Sequence, residues 1–192
     1  MHLRKSNYQH VNLYRMNKLK EYEVSFVGLK QGKHEFVYAI DKRFLALFDY
    51  EEVNDIDEKV TLSLDKKSTL MELHFKNKGI VNVNCDVSNE PFDLPVEGEL
   101  FLVVKFGEEY NDDDDELLIL PHGAHQFNVA QYIYELVVLS IPAKRIHPDV
   151  VSDKMHSEVL DKLEALSPKE PIDETEHIDP RWESLKNLIT DK

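Results

Sequence analysis

The sequence is poor in cysteine and glycine. Its 192 residues include one cysteine, Cys85, and six glycines. A single cysteine forms neither an internal disulfide nor a paired-cysteine zinc site, and this usage fits a reducing cytosol. No apolar run approaches the roughly 20 residues of a membrane-spanning helix. The first 18 residues lack the apolar core of a secretory signal. We therefore expect a cytoplasmic protein that makes no contact with a membrane.

Short catalytic motifs are also missing. The chain contains no P-loop and no GxGxxG, GxSxG or HExxH sequence. So few glycines are also unfavourable for a loop that cradles phosphate. These absences favour a protein that is not an enzyme and that binds no cofactor.

Charge is divided unevenly along the chain. The net charge is −14, from 23 basic and 37 acidic residues. Residues 1–20, called the basic arm below, contain no Asp or Glu and carry all five of their cations at Arg4, Lys5, Arg15, Lys18 and Lys20. An acidic body attracts basic partners, although net charge can also serve solubility alone. The arm's cations, with Tyr8 and Tyr14, predict an RNA contact, and the alternative is an ordinary first strand or helix.

Alternating polarity predicts strands in the first half of the chain. Residues 21–40 suggest a hairpin that turns near Gly32. Asp41 is then placed to cap a short helix that carries Phe44. Residues 59–106 predict four strands in an antiparallel meander, with a turn at Asn77, Lys78 and Gly79.

Later segments predict a loop, a short strand and a buried helix. Residues 107–116 are predicted to form a solvated acidic loop, and residues 117–120 a short apolar strand. Asn128 is placed to cap a helix over residues 129–140 that is apolar nearly all round and is therefore expected to pack on a sheet. Pro142 ends that helix.

The fold class that we predict is α+β, with an antiparallel sheet or partial barrel of about six strands packed on a buried helix. Residues 1–148 form the β-rich core with its basic arm, and residues 149–192 form an acidic, helical tail. In that tail Asp179 and Pro180 begin a last helix with Trp182 and Leu185 on one side. Such a short helix must dock on its own core or on a partner.

Two histidines and four aspartates suggest a second hypothesis, a metal-dependent hydrolase. His122 and His125 lie near the aspartate run, which consists of Asp112, Asp113, Asp114 and Asp115. Imidazole and carboxylate groups are metal ligands, but Pro121 and Gly123 predict a turn that separates the two imidazoles. We expect exposed loop residues here and no metal.

Two further residues have structural interpretations. The parity of Cys85 matches that of Val81 and Val83, which predicts a buried and inert thiol. Glu135 is a carboxylate on an apolar helix, so it either pairs with a cation such as Arg145 or faces water.

Three stretches of the sequence carry a family resemblance. The first runs from Cys85 to Phe92 and into the following strand, and is similar to a Cys-x-Arg-Cys-Leu turn. The second, from Ile133 to Pro142, resembles a helix that carries Glu and ends in Pro. The third is Asp-Pro-Arg-Trp at residues 179–182 followed by Leu185 and Leu188, and is similar to a C-terminal signature. With these motifs the chain resembles the YceD family of bacterial large ribosomal RNA subunit accumulation proteins.

The resemblance implies a non-enzymatic cytosolic protein that supports the synthesis, processing or accumulation of large-subunit ribosomal RNA. Its partner would be that RNA, or a basic ribosomal protein or assembly factor, with Arg181, Trp182 and Leu185 as candidate contacts. Ser88 replaces the family's second turn cysteine, and Val87 replaces its arginine. Any metal or redox role of the family cysteines would therefore be lost in this chain. The oligomeric state stays open.

Overall fold

The computed structural model describes residues 18–152, 161–162 and 165–166. A 3-10 turn (Lys20–Tyr22) precedes the strands, and α1 (Lys42–Ala46), α2 (Ala130–Ser140) and α3 (Pro148–Val151) are the helices whose ends lie within this part of the chain. The strands of the same part are β1 (Glu23–Ser25), β2 (Gly32–Asp41), β3 (Asp55–Lys66), β4 (Leu70–Asn84), β5 (Pro91–Gly107), β6 (Asn111–Asp114), β7 (Leu117–Pro121) and β8 (Gln126–Asn128).

One mixed sheet dominates the fold. Its six strands follow the order β2-β3-β4-β5-β7-β6, and β2 to β5 form an antiparallel meander. The prediction of a wholly antiparallel sheet is wrong at one pair, because β5 and β7 are parallel. The reason lies in the connection: β6 pairs antiparallel with β7 on the outer side, and β7 inserts between β6 and β5.

The predicted hairpin over residues 21–40 is wrong. Strand β1 pairs with β8, so that Val24 lies opposite Phe127. Strand β2 pairs with β3 instead. The two halves of the predicted hairpin therefore belong to different sheets, and the segment that contains Gly32 carries the chain from one to the other.

The turn predicted at Asn77, Lys78 and Gly79 is also wrong, since β4 runs without a break through these residues. Gly79 lies opposite Glu58 of β3. A Cβ atom at position 79 would lie 2.3 Å from the Asp57 carbonyl oxygen and 2.5 Å from Glu58 Cα. Glycine is thus needed for the close approach of two backbones rather than for a turn.

Alternate residues of the main sheet divide into an inner and an outer face. The inner face includes Leu62, Leu73 and Leu102, which are fully buried. The inner face is covered by α2 and by the β1–β8 ribbon, whose Phe26 ring contacts Phe106 of β5. The described part of the chain leaves the outer face open, as is common for an antiparallel meander. The predicted burial of the helix near residues 129–140 is thus confirmed.

The helix cap predicted at Asp41 is confirmed, whereas Val129 rather than Asn128 holds the N-cap position of α2. The Asp41 carboxylate accepts hydrogen bonds from the backbone N–H groups of Arg43, at 2.9 Å, and Phe44, at 3.3 Å, at the start of α1. Asn128 Oδ1 accepts from the Ala130 N–H at 2.8 Å at the start of α2. Helix α2 ends at Ser140, before Pro142.

The acidic segment over residues 107–116 is more regular than predicted. It contains β6, whose four residues are all exposed at the edge of the sheet. The prediction that this segment stays out of the core is correct, but its description as a loop is wrong.

The predicted last helix, with Asp179, Pro180 and Trp182, lies outside the described residues, as does nearly all of the predicted tail. No helix in the described part of the chain is both long and apolar enough to cross a bilayer.

Candidate functional site

The turn that begins at Cys85 joins the two longest strands, β4 and β5. The Cys85 N–H donates to the Glu90 carbonyl oxygen at 2.8 Å, and the Asn89 N–H donates to the Cys85 carbonyl oxygen at 2.9 Å. Asn89 has a φ of +59°, a left-handed conformation that asparagine tolerates better than most residues. The turn thereby buries Ser88 next to Cys85.

The Cys85 thiol receives backbone hydrogen bonds from two directions. Its Sγ accepts from the N–H of Ser88 within the turn at 3.5 Å and from the N–H of His147 at 3.3 Å. Burial raises the pKa of the thiol, but the hydrogen bonds outweigh burial and lower the pKa to about 7. The predicted burial of Cys85 is confirmed, and its inertness stays a prediction, because reactivity depends on exposure as well as on the pKa.

Asp86 and Arg145 connect the same turn to the chain that follows α2. The Asp86 N–H donates to the Arg145 carbonyl oxygen at 2.8 Å, and the Arg145 N–H donates to Asp86 Oδ2 at 2.6 Å. The Arg145 guanidinium lies 3.4 Å from Asp86 Oδ1. We call this arrangement the Asp86–Arg145 clamp.

His147 also connects the Cys85 turn to the chain that follows α2. Its ring meets Phe92 edge-on with 5.3 Å between the ring centroids. Its Nδ1 accepts the Asp149 N–H at 3.0 Å, so His147 caps α3. Sequence reasoning missed this role, and the only local signal was the His-Pro pair at residues 147–148. Cys85, Asp86, Arg145 and His147 together hold the β4–β5 turn against the segment between α2 and α3.

The predicted pairing of Glu135 with Arg145 is wrong. Arg145 pairs with Asp86, and Glu135 Oε1 accepts a hydrogen bond from Gln131 Nε2 at 2.6 Å within α2. Glu135 is partly exposed. The alternative interpretation, a helix face that reaches water, is therefore correct.

An acidic edge lies at the other end of the sheet. Strand β6 and its flanks carry seven carboxylates, at Glu108, Glu109, Asp112, Asp113, Asp114, Asp115 and Glu116, and all of these residues are exposed. In the described part of the chain β6 pairs with β7 alone, so its second edge offers unpaired backbone groups. This acidic edge joins a negative charge cluster to a strand that can still accept a partner strand.

The residues of the hydrolase hypothesis do not assemble into a site. His122 and His125 are exposed in the turn between β7 and β8. Among the described residues no three His, Cys, Asp or Glu side chains come together as metal ligands. The aspartate run forms hydrogen bonds within its own segment, such as Tyr110 Oη to Asp112 Oδ2 at 2.8 Å.

Two of the predicted RNA contacts can be placed. Lys18 and Lys20 are exposed beside the 3-10 turn, and Lys18 Nζ lies 3.1 Å from Glu21 Oε1 in an ion pair. Arg4, Lys5 and Arg15 lie outside the described residues, as do Arg181, Trp182 and Leu185.

Comparison with known proteins identifies one family. The family model for the large ribosomal RNA subunit accumulation protein YceD matches residues 73–189. Comparisons with curated proteins and with solved structures find no match. The matched residues include most of β4, the Cys85 turn, the acidic edge, α2 and the Asp-Pro-Arg-Trp sequence, and they make up more than half of the chain. The chain belongs to the YceD family.

Proposed function

We propose that this protein is a non-enzymatic accessory factor of ribosome biogenesis that supports the accumulation of large-subunit ribosomal RNA in the cytoplasm. The observation that carries this proposal is the family match over residues 73–189. The fold supports a binding role, because the described residues include an exposed acidic strand edge to which a partner strand can pair.

The partner that we propose is a basic protein that takes part in large-subunit assembly. An extended segment rich in Lys or Arg can add to the open edge of β6 through backbone hydrogen bonds. Its cations would then face Asp112, Asp113 and Asp114, which are exposed. Complementary charge also speeds the encounter of such partners.

RNA is the less favoured partner for this surface. Phosphate groups are repelled by a carboxylate cluster, and RNA affinity normally requires several free cations. If RNA is a ligand, the basic arm is the segment that would bind it; there Lys18 is engaged by Glu21, and Lys20 forms no ion pair with another described residue. A filter-binding experiment with RNA on the arm variant R4A/K5A/R15A tests whether the basic arm, rather than the acidic edge, retains RNA.

The test of the proposed function is genetic. Deletion of the gene should lower large-subunit ribosomal RNA relative to small-subunit RNA, and unchanged RNA levels and assembly profiles would contradict the proposal. Complementation with D112N/D113N/D114N should fail to restore the RNA ratio and should lose the basic partner in affinity purification. The control E35Q/E51Q/E90Q, which changes the net charge equally at exposed carboxylates outside the acidic edge, should restore both.

A further inference from the structure

The outer face of the six-stranded sheet is uncovered by the described part of the chain. Helix α2 and the β1–β8 ribbon both lie against the inner face. Three apolar side chains consequently stand exposed on the outer face: Val37 is 52% exposed, Ile80 50% and Phe101 47%. Apolar side chains on an open sheet face are a common place for another segment to dock.

Ile80 lines an acidic hollow on the outer face. This hollow is lined by Asp55, Ile56, Asp57, Ile80, Asn82 and Asp93, with no Lys or Arg. The three aspartates are exposed, and none pairs with a cation from the described residues. Asn82 Nδ2 donates to Asp93 Oδ1 at 2.6 Å, which fixes one carboxylate at the rim. We call Ile80 the floor of this hollow and its three aspartates the rim, and Lys59 and Lys78 lie next to them on the same sheet face.

The basic arm enters the described structure beside this hollow. Lys18 lines a small cavity together with Ala39 and Asp41 at the end of β2. Asp41 lies opposite Asp57, and Asp57 lies opposite Ile80, in the register of the sheet. Ile80 is thus two strands away from the end of β2, or about 10 Å.

We propose that residues 1–17 of this chain dock on the acidic hollow around Ile80. Charge complementarity supports this occupant, since the segment contains Arg4, Lys5 and Arg15 and no carboxylate. Its length is sufficient, because 17 residues span up to roughly 56 Å when extended. Arg15, three residues before Lys18, reaches about 10 Å and hence the rim at Asp57. The docked arm covers the exposed apolar floor and neutralises its rim.

Methyl NMR of the full-length protein tests this contact. In R4A/K5A/R15A the Ile80 δ1-methyl resonance should shift relative to the wild type at low salt, and this difference should vanish near 1 M salt, where charges are screened within about 3 Å. The Ile119 methyl group, on the same face near the acidic edge, should not move. The control K33A/K67A/K105A removes the same number of cations elsewhere and should leave Ile80 unchanged.

Zero-length cross-linking of the wild-type protein identifies the docking site and the source of the arm. A carbodiimide should join Lys5 to Asp55, Asp57 or Asp93 within one chain. An unchanged Ile80 resonance in the arm variant, or cross-links to the aspartate run instead, would overturn the proposal. In a mixture of ¹⁵N-labelled and unlabelled protein, cross-linked peptides of mixed label would reveal a second copy as the occupant and would also overturn it. The contact is measured on purified protein, so its test is independent of the test of the proposed function.

Discussion

Asn77 Nδ2 donates a hydrogen bond of 2.8 Å to Glu58 Oε2 in the interior of the protein, between β4 and β3. Glu58 is 2% exposed and Asn77 3%. Asn77 Nδ2 also lies 2.9 Å from Ser140 Oγ at the end of α2, so the amide links two strands to the helix. Glu58 Oε1 and Asn77 Oδ1 accept no hydrogen bond from the described residues. A proton on the Glu58 carboxyl group would supply one more donor to this cluster, in which two acceptor oxygens have none.

The first prediction concerns the pH dependence of stability that Glu58 causes. Burial raises the pKa of Glu58, although the Asn77 hydrogen bond opposes it. The folded chain therefore keeps a proton that the unfolded chain releases above its ordinary pKa of 4.5. Stability is lost as pH rises from that value towards the folded-state pKa, at up to about 1.4 kcal/mol per pH unit. In E58Q, Tm should exceed that of the wild type at pH 8 and approach it at pH 5.

Two results decide this prediction. The exposed control E35Q, on the neighbouring strand β2, should show no such gap in Tm that widens with pH. A difference between E58Q and the wild type that is the same at pH 5 and pH 8 would contradict a protonated Glu58 in the folded state.

The second prediction is that Gly79 tolerates no side chain. The Cβ atom of G79A would meet the backbone of Asp57 and Glu58 at 2.3–2.5 Å, and backbone atoms in a central sheet cannot move aside. We expect a loss of about 2–3 kcal/mol in the free energy of unfolding measured with urea. G123A has no atom within 4 Å of the new Cβ and should change stability by less than about 0.5 kcal/mol. Equal stability of the two variants would contradict the close packing.

The third prediction tests the Asp86–Arg145 clamp. D86A removes the acceptor of the Arg145 N–H and the partner of its guanidinium. Because the pair is partly exposed, the loss in unfolding free energy should be modest, about 1–2 kcal/mol. Hydrogen exchange should increase at residues 145–147 before the sheet itself opens. E90A, whose exposed side chain lies in the same turn, should match the wild type, and equal exchange in D86A would show that the clamp is dispensable.

The fourth prediction is that the Cys85 thiol ionises near neutral pH. The pKa of Cys85 is lowered to about 7, because backbone N–H groups of His147 and Ser88 overcome the effect of burial. Ultraviolet absorbance of the thiolate near 240 nm should titrate with a midpoint near pH 7 in the folded protein and be absent in C85S. A lowered folded-state pKa also means that wild-type stability rises between pH 7 and pH 9 relative to C85S. A midpoint near 9 in the folded protein would refute this.

Local features of the fold were predictable from the sequence. Asp41 before Phe44 predicts a cap because a carboxylate at this position satisfies free N–H groups of the first helical turn, and the structure shows both hydrogen bonds. The alternating polarity of β3 likewise reflects the burial of one face of that strand. The apolar sequence after Asn128 reflects the burial of helix α2 on several sides. In each case the residues that determine the structure lie within a few positions of the element that they form.

Features that depend on distant residues were not predictable. Gly79 resembles a turn residue unless the backbone of β3, at Asp57, is known to lie against it. Arg145 pairs with Asp86 rather than Glu135 because the fold brings the Cys85 turn against it, and the periodicity of the sequence does not indicate this contact. The parallel pairing of β5 with β7 depends on the insertion of β7 beside β5, which the acidic composition of residues 107–116 does not indicate.

The pairing of β1 with β8 has a consequence during synthesis. Glu23 and Gln126, which are joined by a side-chain hydrogen bond, are 103 residues apart. At ~5–20 residues per second, the ribosome needs roughly 5–20 s to extend the chain by 103 residues from Glu23 to Gln126. The nascent β1 has no ribbon partner during that interval, in which all of β2 to β5 are synthesised. The first strand of the described chain to be translated is therefore among the last to pair.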